Sequence, residues 1–344
     1  MRLSPSKSTP HNQVSQPSAQ PASMVSPVSS QTPPAYYIPW ASRAAFPLVS
    51  VIFYVTQLVL GISVAKGWIW LTVPLALLAS HLMHAYLIAF HEASHGLLRK
   101  NRRLNNINGI IMGMVSFLSF TKYRVLHQSH HMHLATEKDV ELWPFVKVEA
   151  PLWGRRLAAF LELNFGLFYT PFLFWRAFFA RSGGFRNAKV RRQIWRELAF
   201  MVVFWCVAMT CVIRFELWPW FWWNFFIPAF IAGNLQSWRK YIEHVGLSGN
   251  EARSATRSII ADSWCGRFVS LALLHEPLHG IHHIKAGLAH YELPGYTELL
   301  EPVDEGDTAP FPNYRTAFVD LLRKLSDPRV GKQWGDVAVA KAVE

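Results

Sequence analysis

Residues 67–95 read GWIWLTVPLALLASHLMHAYLIAFHEASH, and this stretch decides the fold. From Gly67 to Phe90 it carries no Asp, Glu, Lys or Arg, which is enough apolar helix to cross a bilayer core of about 30 Å. It runs straight into His91-x-x-x-His95, two imidazoles four positions apart and so on one helix face. On its N-terminal side, Ala45–Ala65 is equally free of charge, and only Lys66 and Gly67 separate the two apolar runs. The pair is expected as a hairpin. The basic run from Arg99 to Arg103 follows His95, so positive flanking charge places both ends of the hairpin in the cytoplasm.

Further out the apolar segments are less uniform. Ile107–Phe120 contains two glycines and is too short to span, which suggests a re-entrant or interfacial segment. Residues 157–179 are apolar and aromatic but interrupted by Glu162, Asn164, Pro171 and Arg176, a pattern that reads as amphipathic helices lying in the membrane surface. Leu198–Ile213 is expected as a third span and Leu217–Trp238 as a fourth. Pro228 should kink the latter, and the aromatic run at 218–223 should form its outer belt. The expectation is an all-α, polytopic membrane protein with four transmembrane helices and a cytoplasmic, histidine-rich helical cap. Residues 1–40, rich in Pro, Ser and Gln, read as a disordered cytoplasmic leader with no signal-peptide h-region. Residues 41–302 form the membrane domain and 303–344 a C-terminal cytoplasmic tail.

Composition supports the membrane class. Across 344 residues 51 % are hydrophobic and 16 % charged. The net charge of +12 does not imply nucleic acid, because the aromatic residues lie in the apolar runs and the basic ones in the inner flanks. Cys206, Cys211 and Cys265 show no Cys-x-x-Cys spacing, so neither a disulfide framework nor a thiolate iron site is encoded.

The histidines carry the chemistry. His91 and His95 are joined by His127, His130 and His131 and by His279, His282 and His283, each cluster at the end of an apolar segment. Eight imidazoles exceed the four ligands of a closed zinc site and favour two metals, and imidazole suits iron, zinc and copper alike. His244, just past the fourth span, adds a ninth nitrogen. His275 is a further candidate, and Glu92, Asp139 and Glu243, with Glu141 and Glu276, are carboxylates placed to orient a ligand ring. His84 reads as structural or cavity-lining. A metal transporter would instead distribute such histidines along a path within the bilayer.

HEASH, HQSHH and HGIHH, in that order and separated by paired spans, resemble the three histidine boxes of the membrane fatty-acid desaturase superfamily. The 239–246 segment, RKYIEHVG, is similar to the Arg-x-x-x-Glu-His of bacterial members. The resemblance runs from about Ala45 to Pro302. It implies a non-haem diiron centre held by the eight box histidines and His244, dioxygen as co-substrate, and a long-chain lipid or fatty-acyl substrate. It implies an integral protein of a bacterial inner membrane with its boxes facing the cytoplasm. Desaturation is the leading reaction; hydroxylation, ketolation or 1-alkene-forming decarboxylation share the scaffold. No dinucleotide fingerprint, haem motif or cysteine quartet is encoded, so electrons are expected from a separate ferredoxin- or rubredoxin-like donor with its reductase. The basic stretch Arg181, Arg186, Lys189, Arg191, Arg192 and Arg196 is expected either as the docking face for that donor or as a surface for anionic lipid.

Overall fold

The computed structural model describes residues 39–180, 185 and 187–335; the leader, Arg181 and Arg186 lie outside them, apart from the leader's last two residues. A single turn, α1 (Trp40–Arg43), leads into α2 (Ala45–Ala65) and α3 (Ile69–His95), the expected hairpin. Next come α4 (Arg102–Val115), α5 (Phe120–Met132), α6 (Leu152–Phe179) and α7 (Ala188–Arg214). The short α8 (Trp218–Trp220) continues through a π-helical segment, Phe221–Phe226, into α9 (Ile227–His244). The cap adds α10 (Ala252–Ala255), α11 (Trp264–Ala272), α12 (His279–Ile284) and α13 (Tyr314–Lys324). Among the described residues there is no strand, only one isolated bridge between Ile259 and Phe311.

Local sequence sets the helix ends that matter for the site. Gly96 adopts φ 82°, a left-handed conformation costly for other residues, and this stops α3 immediately after His95. Ser119 caps α5 by accepting from the Lys122 N–H at 3.1 Å, and Asn101 caps α4 in the same way. Helices α4 and α5 meet at 100°, so the chain turns sharply within the segment read as re-entrant or interfacial.

Four helices are long and apolar enough to cross a membrane: α2, α3, α6 and α7. Of the runs read as spans from sequence, α2, α3 and α7 cover three. The stretch 157–179, read as surface-lying amphipathic helices, falls in α6, whose backbone leaves helical geometry at Phe165 and so divides it into two helical pieces. Of its polar residues, Asn164 is exposed, whereas Glu162 and Arg176 find partners from other elements. Glu162 is buried against Lys240 and the Tyr241 hydroxyl, and Arg176 stacks over Trp143 at 3.9 Å. The stretch read as a fourth span is divided by the π-helical segment, and Pro228 falls in the first turn of α9 directly after it, where its missing N–H is best tolerated.

Helices α6 and α9 approach closely at Gly166 and Gly233. A Cβ on Gly166 would lie 2.4 Å from the Gly233 carbonyl oxygen, and one on Gly233 would lie 2.7 Å from the Leu167 nitrogen. At this crossing α6 leaves helical geometry at Phe165, and the Gly166 N–H donates across the interface to Asn234 Oδ1 at 2.9 Å. The segment set apart in sequence as a tail packs into the cap over its described part. Phe318 lies 5.4 Å from Trp238, Val330 N donates to the Phe145 carbonyl, and Trp334 Nε1 donates to the same oxygen.

This crossing yields a stability prediction. Gly233→Val should destabilise the detergent-solubilised protein by about 1–3 kcal/mol, the usual cost of overpacking. Gly287→Ala, with no heavy atom within 4 Å of the added carbon, should leave the thermal midpoint unchanged. Equal midpoints for Gly233→Val and the parent chain would show that the two helices do not meet there.

Candidate metal centre

The nine histidines singled out in the sequence converge from four elements: the last turn of α3, the C-terminal half of α5, the end of α9 and the whole of α12. His91, His95, His127, His131 and His282 bring one ligand atom each within 4.8 Å of one another. His130, His244 and His283 form a second group, and Glu243, His244 and His279 a third that shares His244 with it. The Nε2 atoms stand at short separations. His91 to His127 is 2.8 Å, His127 to His131 and His131 to His282 are 3.1 Å, and His244 to His279 and His279 to His283 are 3.0 Å.

The other ring nitrogen reveals what those contacts mean. His127 Nδ1 is 3.1 Å from Glu141 Oε1, His130 Nδ1 2.8 Å from Asp139 Oδ2, and His279 Nδ1 3.0 Å from Glu276 Oε1. His244 Nδ1 is 3.0 Å from the Ala255 carbonyl oxygen, and His91 Nδ1 lies 3.4 Å from Glu276 Oε2. An acceptor at Nδ1 holds the proton there and leaves Nε2 a bare lone pair. His244 and His279 then face each other with two lone pairs and no proton between them. Such pairs repel in a dry interior unless a cation lies among them. At a metal–nitrogen bond of about 2.1 Å, adjacent ligands at a right angle sit about 3.0 Å apart, so these residues fit bound metal ions. Burial keeps the rings ready for this: it lowers His279 to about 4 and holds His282 and His283 well below the ordinary imidazole range, so all are unprotonated at neutral pH.

The candidate carboxylates divide. Asp139 is wholly buried; besides His130 it accepts from the backbone N–H groups of Ala135, Glu141 and Leu142, which fix its position. Glu243 lies 3.6 Å from His279 Nε2 and pairs with Arg239 at 2.7 Å. Glu92 faces away from the ligand rings and accepts the His290 backbone N–H at 2.9 Å. His275 is not brought to the cluster, for its Nε2 lies 3.1 Å from Ser42 Oγ and its Nδ1 3.3 Å from Ser270 Oγ. Two residues carry more than sequence reading assigned to them. Glu276 touches both His91 and His279, and Arg239 binds Glu276 and Glu243 together. Their signals were the i, i+4 Arg239–Glu243 pair and the i, i+3 Glu276–His279 pair. Burial alone would raise the Glu276 carboxyl, yet His91 and the Arg239 guanidinium hold it well below the usual range.

The chamber within this cluster holds about 50 Å³ and shares Tyr123, Thr170 and Gln236 with an apolar cavity of about 500 Å³. That cavity lies between α2, α3, α4, α6, the π-helical segment and α9, and its volume falls within the range of about 300–1,000 Å³ typical of small-molecule sites. Tyr123 stacks on the His127 ring at 5.3 Å and 5°, forming part of the wall between the two spaces.

Residues 68–314 match the family model described as fatty acid desaturase. The chain is 23 % identical over 285 residues to a fatty acid desaturase of Bacillus subtilis, covering 75 % of each protein. It is also 23 % identical to the chloroplastic sn-2 acyl-lipid omega-3 desaturase (ferredoxin) of Helianthus annuus, over 87 % of this chain and 71 % of the relative. A third relative, the chloroplastic omega-3 fatty acid desaturase of Ricinus communis, is 21 % identical over 74 % of this chain and 59 % of its own. With its three histidine clusters gathered at one end of a helical membrane bundle and the family model covering well over half its length, this chain belongs to the fatty acid desaturase family.

Proposed function

We propose that the protein is an integral-membrane, oxygen-dependent non-haem diiron oxidoreductase that desaturates a long-chain acyl lipid or acyl thioester. One observation carries this reading: bare imidazole nitrogens converge in groups directly beside an apolar cavity, with Tyr123, Thr170 and Gln236 lining both. His91, His95, His127, His131 and His282 would hold one iron, and His130, His244, His279 and His283, with Glu243 alongside, the other. Bound there, the irons would supply dioxygen activation and removal of hydrogen from an unactivated carbon, consuming two electrons from outside.

The protein's own part is positioning. Asp139, Glu141 and Glu276 keep the Nδ1 protons of His130, His127 and His279 in place, so the rings cannot rotate away. The cavity excludes water and aligns an alkyl chain past Phe90, the residue adjacent to His91. Lys189, Arg192 and Arg196 are exposed at the start of α7 and Arg191 half-exposed, which suits an acidic ferredoxin- or rubredoxin-like donor served by a reductase. The basic flanks argue for a cytoplasmic metal end, in a bacterial inner membrane.

Lipid profiling of cells with and without the protein is the direct test: a new double bond in membrane acyl chains is expected. A hydroxyl group or a terminal alkene in its place would replace desaturation by hydroxylation or decarboxylation.

Purified under iron-replete conditions, the protein should contain two irons per chain. His130→Ala or His282→Ala should abolish turnover and lower bound iron while membrane insertion persists, and His133→Ala should resemble the parent. Asp139→Asn should cost about 10–100-fold in activity or metal affinity. A single tightly held zinc with no iron-dependent activity would sink the diiron assignment.

Turnover with ferredoxin and its reductase should fall as salt rises and again when Lys189, Arg192 and Arg196 are neutralised together. Indifference to both would move the donor's docking face elsewhere.

A further inference from the structure

The apolar cavity is walled almost entirely by buried and half-buried side chains. Only two of its lining residues are exposed: Tyr54 on α2, at 66 %, and Ile111 on α4, at 49 %. Each faces the cavity and the outside of the bundle at once, so the mouth lies between α2 and α4. Its depth is informative. Tyr54 stands nine residues into α2, about 14 Å along the helix axis at 1.5 Å per residue. In a helix of spanning length that level lies within the hydrocarbon, not in water. The outer surfaces beside the mouth are apolar as well, with Val51, Val55 and Leu58 exposed on α2 and Ile107 on α4.

A cation closes the inner end of the same gap. The Arg99 guanidinium lies 4.9 Å over the Phe46 ring of α2, and its Nε donates to Asn108 Oδ1 of α4 at 3.3 Å. Arg99 thus straddles the two helices at the end of the bundle where the histidines lie. Lys100, Arg102 and Arg103 beside it are exposed. A mouth open at hydrocarbon depth, with positive charge fixed above it at the interface, matches the two halves of an anionic lipid.

We propose that the gap between α2 and α4 is a lateral portal through which one acyl chain of a bilayer phospholipid enters the cavity while its phosphate rests against Arg99 and the neighbouring basic residues. A chain that is already in the bilayer crosses no water on this route. An acyl thioester arriving from the cytoplasm would have to enter the bilayer before reaching the mouth. The proposal rests on the reading of the cavity as an acyl site, but not on the reaction performed there.

The test uses the full chain reconstituted in vesicles of phosphatidylglycerol carrying a photoreactive diazirine in one acyl chain, with labelled residues mapped by mass spectrometry. Labels are expected on Tyr54 and Ile111 at the rim and on Met83 and Val115 inside. The double substitution Tyr54→Trp and Ile111→Trp should lower interior labelling severalfold with bound metal unchanged. Arg99→Gln should reduce the preference for phosphatidylglycerol over phosphatidylcholine by about fivefold, the order expected for one basic residue facing anionic lipid. Interior labelling that is insensitive to the paired tryptophans, or that occurs with a diazirine acyl-CoA but not with the phospholipid, would overturn the portal. A phospholipid that labels the interior but gains no double bond would support the portal and remove the desaturase reading alone.

Discussion

Imidazole lone pairs held about 3 Å apart in a dry interior are the constraint on which the rest of this structure depends. The geometry is unfavourable for bare rings and would become favourable with cations among them, which would couple metal binding to folding. Everything around the cluster serves to maintain it. The Nδ1 positions of His91, His127, His130, His244 and His279 each face an acceptor; of these acceptors, Asp139 is held by backbone amides and Glu276 by Arg239.

Burying so many charges is costly unless they are paired, and the pairing also sets the helix packing. Arg239, Glu243 and Glu276 bind α9 to the cap segment that leads into α12. Lys240 and Tyr241, the next residues on α9, bind Glu162 of α6. One turn of α9 therefore faces the histidine cluster on one side and fixes α6 on the other. Gly166 and Gly233 let the two backbones close to the distance that these ion pairs require.

The cavity and the ligand cluster are built on the same residues of the same helices. Phe90 lines the apolar space and His91 the polar one; Gln236 borders both, three residues before Arg239. Because α3 and α9 pack along their length, the offset between the cavity and the imidazole rings is set by helix geometry and not by loops.

Much of this was legible in the order of residues. Uncharged runs flanked by basic residues identify the hairpin at 45–95, because a bilayer imposes length and apolarity directly on sequence. Helical spacing placed His91 with His95 and His127 with His131 before any tertiary contact was known, since i, i+4 neighbours share a face whatever the fold. Other features needed the third dimension. The partners of Glu162 and Arg176 are one example: both look like surface charges until Lys240 and Trp143 are seen across the interface. Which carboxylate serves which ring was equally hidden: Asp139, Glu141 and Glu276 reach the histidines, whereas Glu92, adjacent to His91 in the chain, turns to the His290 backbone. His275 likewise goes to Ser42 and Ser270. The sequence by itself determined the helices, the ligand types and their local spacing, because those follow from periodicity and from the chemistry of single residues. Only the tertiary structure decided the pairings across helices, the grouping of the nine histidines and the cavity beside them, because each depends on residues brought together from distant parts of the chain.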